Sequence, residues 1–129
     1  MIGIDTNVLL RLFQLDDDPD QSARAQRAIR EHGHVFVNDV VLAEFVAVSK
    51  RVFKLSRVEI HHRLEAILEA PEFEVANTDT VARAVERYGA ESFDFADLLI
   101  GETNLDHGCD ATLSFDKGAN KSALFRPVP

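Results

Sequence analysis

The first eleven residues, Met1 to Arg11, constrain the fold more than any other stretch. Ile2-Gly3-Ile4 is a short apolar run that reads as a buried strand, and it stops on a carboxylate, Asp5. A helical pattern starts at once, with Val8, Leu9, Leu12 and Phe13 as its apolar positions. In an α/β sheet the ligand crevice lies at the carboxyl ends of the strands. Asp5 is expected there, with Thr6 and Asn7 beside it. The same residue types also cap helix starts, because their oxygens accept from free backbone N–H groups.

Strand-like and helix-like stretches go on alternating down the chain. Gln14 to Asp20 is a polar turn whose aspartates lack the spacing and the glycine of a calcium loop. Pro19 falls near the first position of a helix that runs to about His32, with Ala23, Ala28 and Ile29 inward and Gly33 ending it. His34 to Asn38 reads as a second buried strand, and Asp39 is a candidate cap for the helix that follows. Ser56 and Glu59 fit a capping box, starting a helix that lasts to Ala70. Phe73-Glu74-Val75 is a strand, and Asn77 starts a helix that Gly89 closes. A further helix carries the segment Ser92 to Thr103, and Gly108 ends it. Asp110 to Asp116 is then a strand, Leu124-Phe125 adds a last short one, and Pro127 and Pro129 stop regular structure. This order predicts an α/β protein, one domain over residues 1–129, with a central parallel sheet flanked by helices.

Four acids stand out against this pattern. Asp5 and Asp116 each end a predicted strand. Glu44 shares a helix face with Val40, Val41, Ala47 and Val48, a costly place for a carboxylate without compensation. Asp94 and Asp97 lie three apart on one helix face, with Gly101 a turn beyond Asp97 leaving space above it. If Asp5, Glu44, Asp97 and Asp116 converge, their mutual repulsion calls for a hard divalent cation, Mg²⁺ or Mn²⁺. No His, Cys or Ser is placed as an obvious covalent nucleophile, so the set suggests metal-dependent hydrolysis of a phosphodiester by water. His61 and His62, adjacent on a helix, point apart and form a poor metal pair.

Composition narrows the classes. The net charge of −8 argues against a surface that coats nucleic acid, yet suits a cation site or a basic partner. The single cysteine, Cys109, excludes an internal disulfide and a cysteine-rich zinc site, and is expected as a small buried apolar residue. There is no membrane-length apolar run and no signal-peptide pattern, so a cytoplasmic protein is expected.

These residues resemble the PIN-domain ribonucleases and, within them, the VapC toxins of toxin–antitoxin pairs. The matching stretches are Ile4 to Arg11, the helical Glu44, Phe93-Asp94-Phe95-Ala96-Asp97-Leu98-Leu99-Ile100 and Leu113-Ser114-Phe115-Asp116, in that order along the chain. The resemblance implies a small parallel-sheet α/β/α fold and a Mg²⁺- or Mn²⁺-dependent endoribonuclease acting on RNA. It also implies a homodimer inhibited by a small antitoxin protein. By position, Asp5, Glu44, Asp97 and Asp116 correspond to the acidic quartet, with Asp5 and Asp97 the principal metal ligands. Thr6, Asn7 and Ser114 correspond to supporting polar residues and Asp94 to an accessory acid. Ser114-Phe115-Asp116 replaces the more frequent Thr-Arg-Asp, which removes one basic group.

Arg11, Lys50, Arg51 and Lys54 are candidates for a basic RNA-binding rim, with Lys117 and Lys121 on its far side. Two other classes fit parts of the pattern. One is a catalytically inactive PIN-like module that binds RNA or protein. The other is a small-molecule phosphatase, which expects a second Asp two residues after the first, where this chain has Asn7.

Overall fold

A computed structural model describes all residues 1–129. The elements run β1 (Ile2–Gly3), α1 (Thr6–Phe13), α2 (Pro19–His32), β2 (Val35–Val37), α3 (Asp39–Arg51), α4 (Arg57–Glu69), β3 (Phe73–Val75), α5 (Thr78–Ala90), α6 (Phe95–Asp106), β4 (Thr112–Ser114) and β5 (Phe125–Pro127). The class is α/β, as expected, and every strand pair is parallel. The chain forms two compact units, residues 1–76 and 77–129.

The first unit holds a three-stranded sheet in the order β1-β2-β3, with Ile2 beside Val35 and Val35 beside Phe73. Parallel neighbours need long crossovers, and here helix pairs α1–α2 and α3–α4 supply them. Leu9, Val35, Val37, Leu42, Phe45 and Leu64 are fully buried in its core. Phe13 meets Phe45 edge-on at 5.4 Å, and the Arg63 guanidinium lies 5.7 Å from the Phe13 ring centre.

The second unit pairs β4 with β5, Thr112 beside Phe125 and Ser114 beside Pro127. Pro127 therefore belongs to a strand rather than stopping regular structure. The pair has an open edge there, where a missing N–H is tolerated. Helices α5 and α6 meet through Tyr88 and Phe95, whose rings stand edge-to-face at 5.8 Å.

Helix boundaries follow the capping residues. Asp5, Asp18, Asn38, Ser56 and Asn77 each accept from a backbone N–H of the helix they start. The capping box of Ser56 and Glu59 is complete. The cap of α3 is Asn38, one residue before the expected Asp39. Gly33 closes α2 with φ of 78°, a left-handed geometry that glycine adopts at low cost. Gly89 does not close α5, which runs on to Ala90. Ala23 is exposed, and Ser22 with Ala25 takes the inward face of α2 instead. Cys109 is exposed, because it follows the end of α6 in a turn rather than sitting on a core face.

Gly101 serves a different purpose from the one expected. A Cβ built there would lie 2.8 Å from Leu124 Cβ, so the glycine admits the Leu124 side chain rather than opening space above Asp97. Gly101→Ala gains helix propensity of about 1 kcal/mol but overpacks a buried contact at about 1–3 kcal/mol. A net loss of stability is expected, read as a lower denaturation midpoint. An unchanged or higher midpoint contradicts this account.

Candidate active site

In the second unit, three acids share one neighbourhood. Asp94 stands at the N-cap of α6, yet alone among the six α-helix caps its side chain makes no capping hydrogen bond. Its carboxylate is therefore not spent on the helix. Asp97 lies in the first turn of α6 and is half-buried. Burial pushes its carboxyl above the ordinary carboxylate value, and the negative charges of Asp94 and Asp116 push it further.

Asp116 follows β4 and is held by its own turn. Its Oδ1 accepts from the Gly118 N–H at 2.8 Å and the Ala119 N–H at 3.4 Å, which leaves Oδ2 open. Ser114 Oγ accepts from the Asp116 N–H at 3.0 Å, and Asn120 Nδ2 donates to the Ser114 carbonyl at 2.8 Å. Ser114 thus fixes the backbone that carries Asp116.

In the first unit, Asp5 lies two residues beyond β1 and caps α1. Its Oδ1 accepts from the Val8 N–H at 3.0 Å and its Oδ2 stays open, so capping occupies one oxygen only. Thr6 is the first residue of α1. Asn7 Nδ2 donates to Gln21 Oε1 at 3.4 Å, on the wall of a pocket of about 270 Å³ that Arg11 and Arg24 also line. Glu44 differs from expectation. It is exposed on α3, and Val40 beside it is 67% exposed, because the helix buries Val41, Leu42, Phe45, Val46 and Ser49 instead. Apolar burial therefore puts no demand on Glu44 for a compensating charge.

The basic candidates divide. Arg11 is committed to Asp17 at 2.7 Å and to Gln21 at 2.8 Å. That pairing explains its presence without a ligand. Lys50, Arg51 and Lys54 are exposed at the end of α3 and just after it, and Lys117 and Lys121 are exposed in the second unit.

One acid escaped sequence reasoning. Glu102 is only 3% exposed and is held by Arg83 at 3.0 Å and Arg87 at 2.7 Å. The available signal was the pair of arginines four apart on α5, one turn of helix presenting two guanidinium groups to one carboxylate. Glu102 is a structural ion-pair centre, fully matched by opposite charge.

No three His, Cys, Asp or Glu side chains close into a metal cage in either unit. Asp97 nonetheless feels the negative charges of Asp94 and Asp116. An open, all-oxygen, anionic donor set of this kind suits a hard cation that keeps several of its waters.

The profile of the PIN domain matches residues 2–123. The chain belongs to the PIN-domain family. PIN domains are typically metal-dependent nucleases. No curated protein matches the chain at a significant level. No helix of this PIN domain is long and apolar enough to cross a membrane.

The electrostatics of the second unit can be measured directly. Carboxyl-carbon NMR of the metal-free protein is expected to show Asp97 titrating above 3.8, and Asp94→Asn or Asp116→Asn should lower it. A folded-state value above the unfolded one means that Asp97 costs stability above its folded pKa, and that this cost disappears as pH falls below 3.8. An Asp97 titration unmoved by both substitutions contradicts the coupling.

Proposed function

We propose that this PIN domain is a Mg²⁺- or Mn²⁺-dependent endoribonuclease and the toxin of a VapC-type toxin–antitoxin pair. The carrying observation is Asp97, a half-buried carboxyl raised by burial and by two neighbouring acids, with nearby oxygens on Asp94 and Asp116 left open. Like-charged groups held together at a cost in stability are the mark of a site arranged for something positive. The four matching stretches, in family order across residues 4–116, support the assignment of Asp5 and Glu44 to the same chemistry.

In this reading Asp5 and Asp97 are the principal ligands of the cation, and Glu44 and Asp116 complete the acidic set over one domain, residues 1–129. When bound, the cation acidifies a water and neutralises charge developing on the phosphodiester. The chain's own residues do the positioning. The capping bond to Val8 N–H fixes Asp5 through Oδ1 and leaves Oδ2 without a hydrogen bond. The Ser114, Gly118 and Ala119 contacts fix Asp116. Thr6, Asn7 and Asp94 supply further oxygens and donors around the reacting phosphate. Lys50, Arg51 and Lys54 meet the RNA backbone, giving affinity without sequence choice. Arg11 acts by shaping the Asn7 side of the pocket, since its guanidinium is already paired.

The partner proposals follow from the VapC resemblance: a small antitoxin protein, a homodimer and a cytoplasmic setting. A net charge of −8 complements a cationic antitoxin segment. Produced alone, the protein should arrest growth, and a small protein encoded beside it should bind it and restore growth. A neighbour that neither binds nor protects removes the toxin–antitoxin reading.

The nuclease reading is tested on purified protein with total RNA, in Mg²⁺, Mn²⁺ or EDTA. Asp5→Asn and Asp97→Asn should each abolish cleavage with the circular dichroism spectrum unchanged. Glu44→Gln should slow it by ~100- to 1,000-fold, the usual effect of losing one placed electrostatic group. Since Glu44 is exposed, no fold defect can account for such a loss. Full activity in the Asp5 and Asp97 variants overturns the assignment.

A further inference from the structure

Of nine Phe and one Tyr, only Phe115 is exposed, and it is 87% exposed. A large apolar ring left almost wholly in water has no role in holding the fold. Its place is specific. Phe115 continues the alternation of β4, in which Thr112 and Ser114 are half-buried while Leu113 is 61% exposed. Leu113 and Phe115 therefore share the outward face. The β4–β5 register sets Arg126 beside Leu113, and Arg126 is exposed too. Lys117 follows two residues later, also exposed. Asp116 lies next to Phe115 in the chain, pinned by its own turn.

An exposed ring with one exposed cation two residues on, Lys117, and another, Arg126, registered with Leu113 on the same outward face fits a particular kind of ligand. Bases present a π-face to an aromatic side chain, and the phosphates on either side require positive charge. A duplex keeps its bases stacked on each other, so the ligand is single-stranded. We propose that Phe115 is a base-stacking residue that seats one unpaired base of single-stranded RNA beside Asp116, with Arg126 and Lys117 contacting the adjoining phosphates. The proposal rests on the ribonuclease reading, and it names the substrate class and the residue that sets the cleavage register. The Phe that replaces a basic residue in Ser114-Phe115-Asp116 thus exchanges a phosphate contact for a base contact, and Arg126 returns positive charge to the same face.

The chain has no Trp, so Phe115→Trp introduces a single tryptophan whose emission can be excited selectively over Tyr88. In EDTA, a single-stranded oligoribonucleotide should quench that emission, and the same strand annealed to its complement should not. Phe115→Ala should raise KM for single-stranded RNA by about 5- to 140-fold, which is the ~1–3 kcal/mol of stacking one base at 1.4 kcal/mol per decade. It should change kcat less and spread the cleavage positions. Arg126→Ala should weaken binding and reduce its salt dependence by about one phosphate contact. Cleavage that proceeds normally without quenching, and with an unchanged pattern in Phe115→Ala, overturns the stacking role while leaving the nuclease intact. Quenching by single strands without cleavage in any metal supports stacking and overturns the nuclease reading instead. Emission that follows protein concentration and ignores RNA assigns this face to pairing of chains and overturns the proposal.

Discussion

Every helix start leaves backbone N–H groups without partners, and much of this structure follows from how the chain satisfies them. Six α-helices begin on Asp, Asn or Ser, and five of those side chains accept a hydrogen bond from the helix they start. At Asp5 the constraint places an acid just beyond a strand's end, where an α/β fold has its crevice. Asp5 shows how one residue meets both demands. One oxygen satisfies Val8 N–H, and the other makes no hydrogen bond. Asp94 departs from the rule, since it occupies a cap position without making the bond. Its free carboxylate adds charge to Asp97, so an omission at the helix start becomes an electrostatic feature of the acidic neighbourhood.

The second unit contains both outcomes for a carboxylate removed from water. Glu102 is nearly inaccessible and meets two guanidinium groups, so its charge is answered within the fold. Breaking such a buried pair is costly because it strands a charge. Asp97 is more open and meets two other carboxylates, so its charge is unanswered. Burial alone therefore does not distinguish the two acids. The sign of the neighbouring charges does. The same contrast separates Arg11, paired with Asp17, from the exposed Lys50, Arg51 and Lys54 as candidates to meet a phosphate.

The α/β class and most element positions were legible in the sequence, because helix caps and apolar alternation are local signals. Ser56 with Glu59, Asn77 and Gly33 work through bonds or dihedral angles within a few residues, and each appears where expected. The misplacements arose where a choice depended on distant packing. Asn38 and Asp39 are both good caps, and the end of β2 selects Asn38. Gly89 could close α5, but the helix continues one residue beyond it. The surroundings of Glu44 were misjudged because spacing describes which residues share a helix face, not whether that face is covered.

By itself the sequence determined an α/β chain of parallel strands, the acids Asp5, Asp94, Asp97 and Asp116 at strand ends and helix starts, and the order of motifs that marks a PIN domain. Those properties depend on residue types at short spacing. Tertiary structure alone decided that Leu124 fills the space over Gly101, that Arg83 and Arg87 neutralise Glu102, and that Phe115 stands in water while Arg126 pairs across the strands with Leu113. Each of these joins elements separated in sequence, and exposure and charge pairing have values only after those elements have packed.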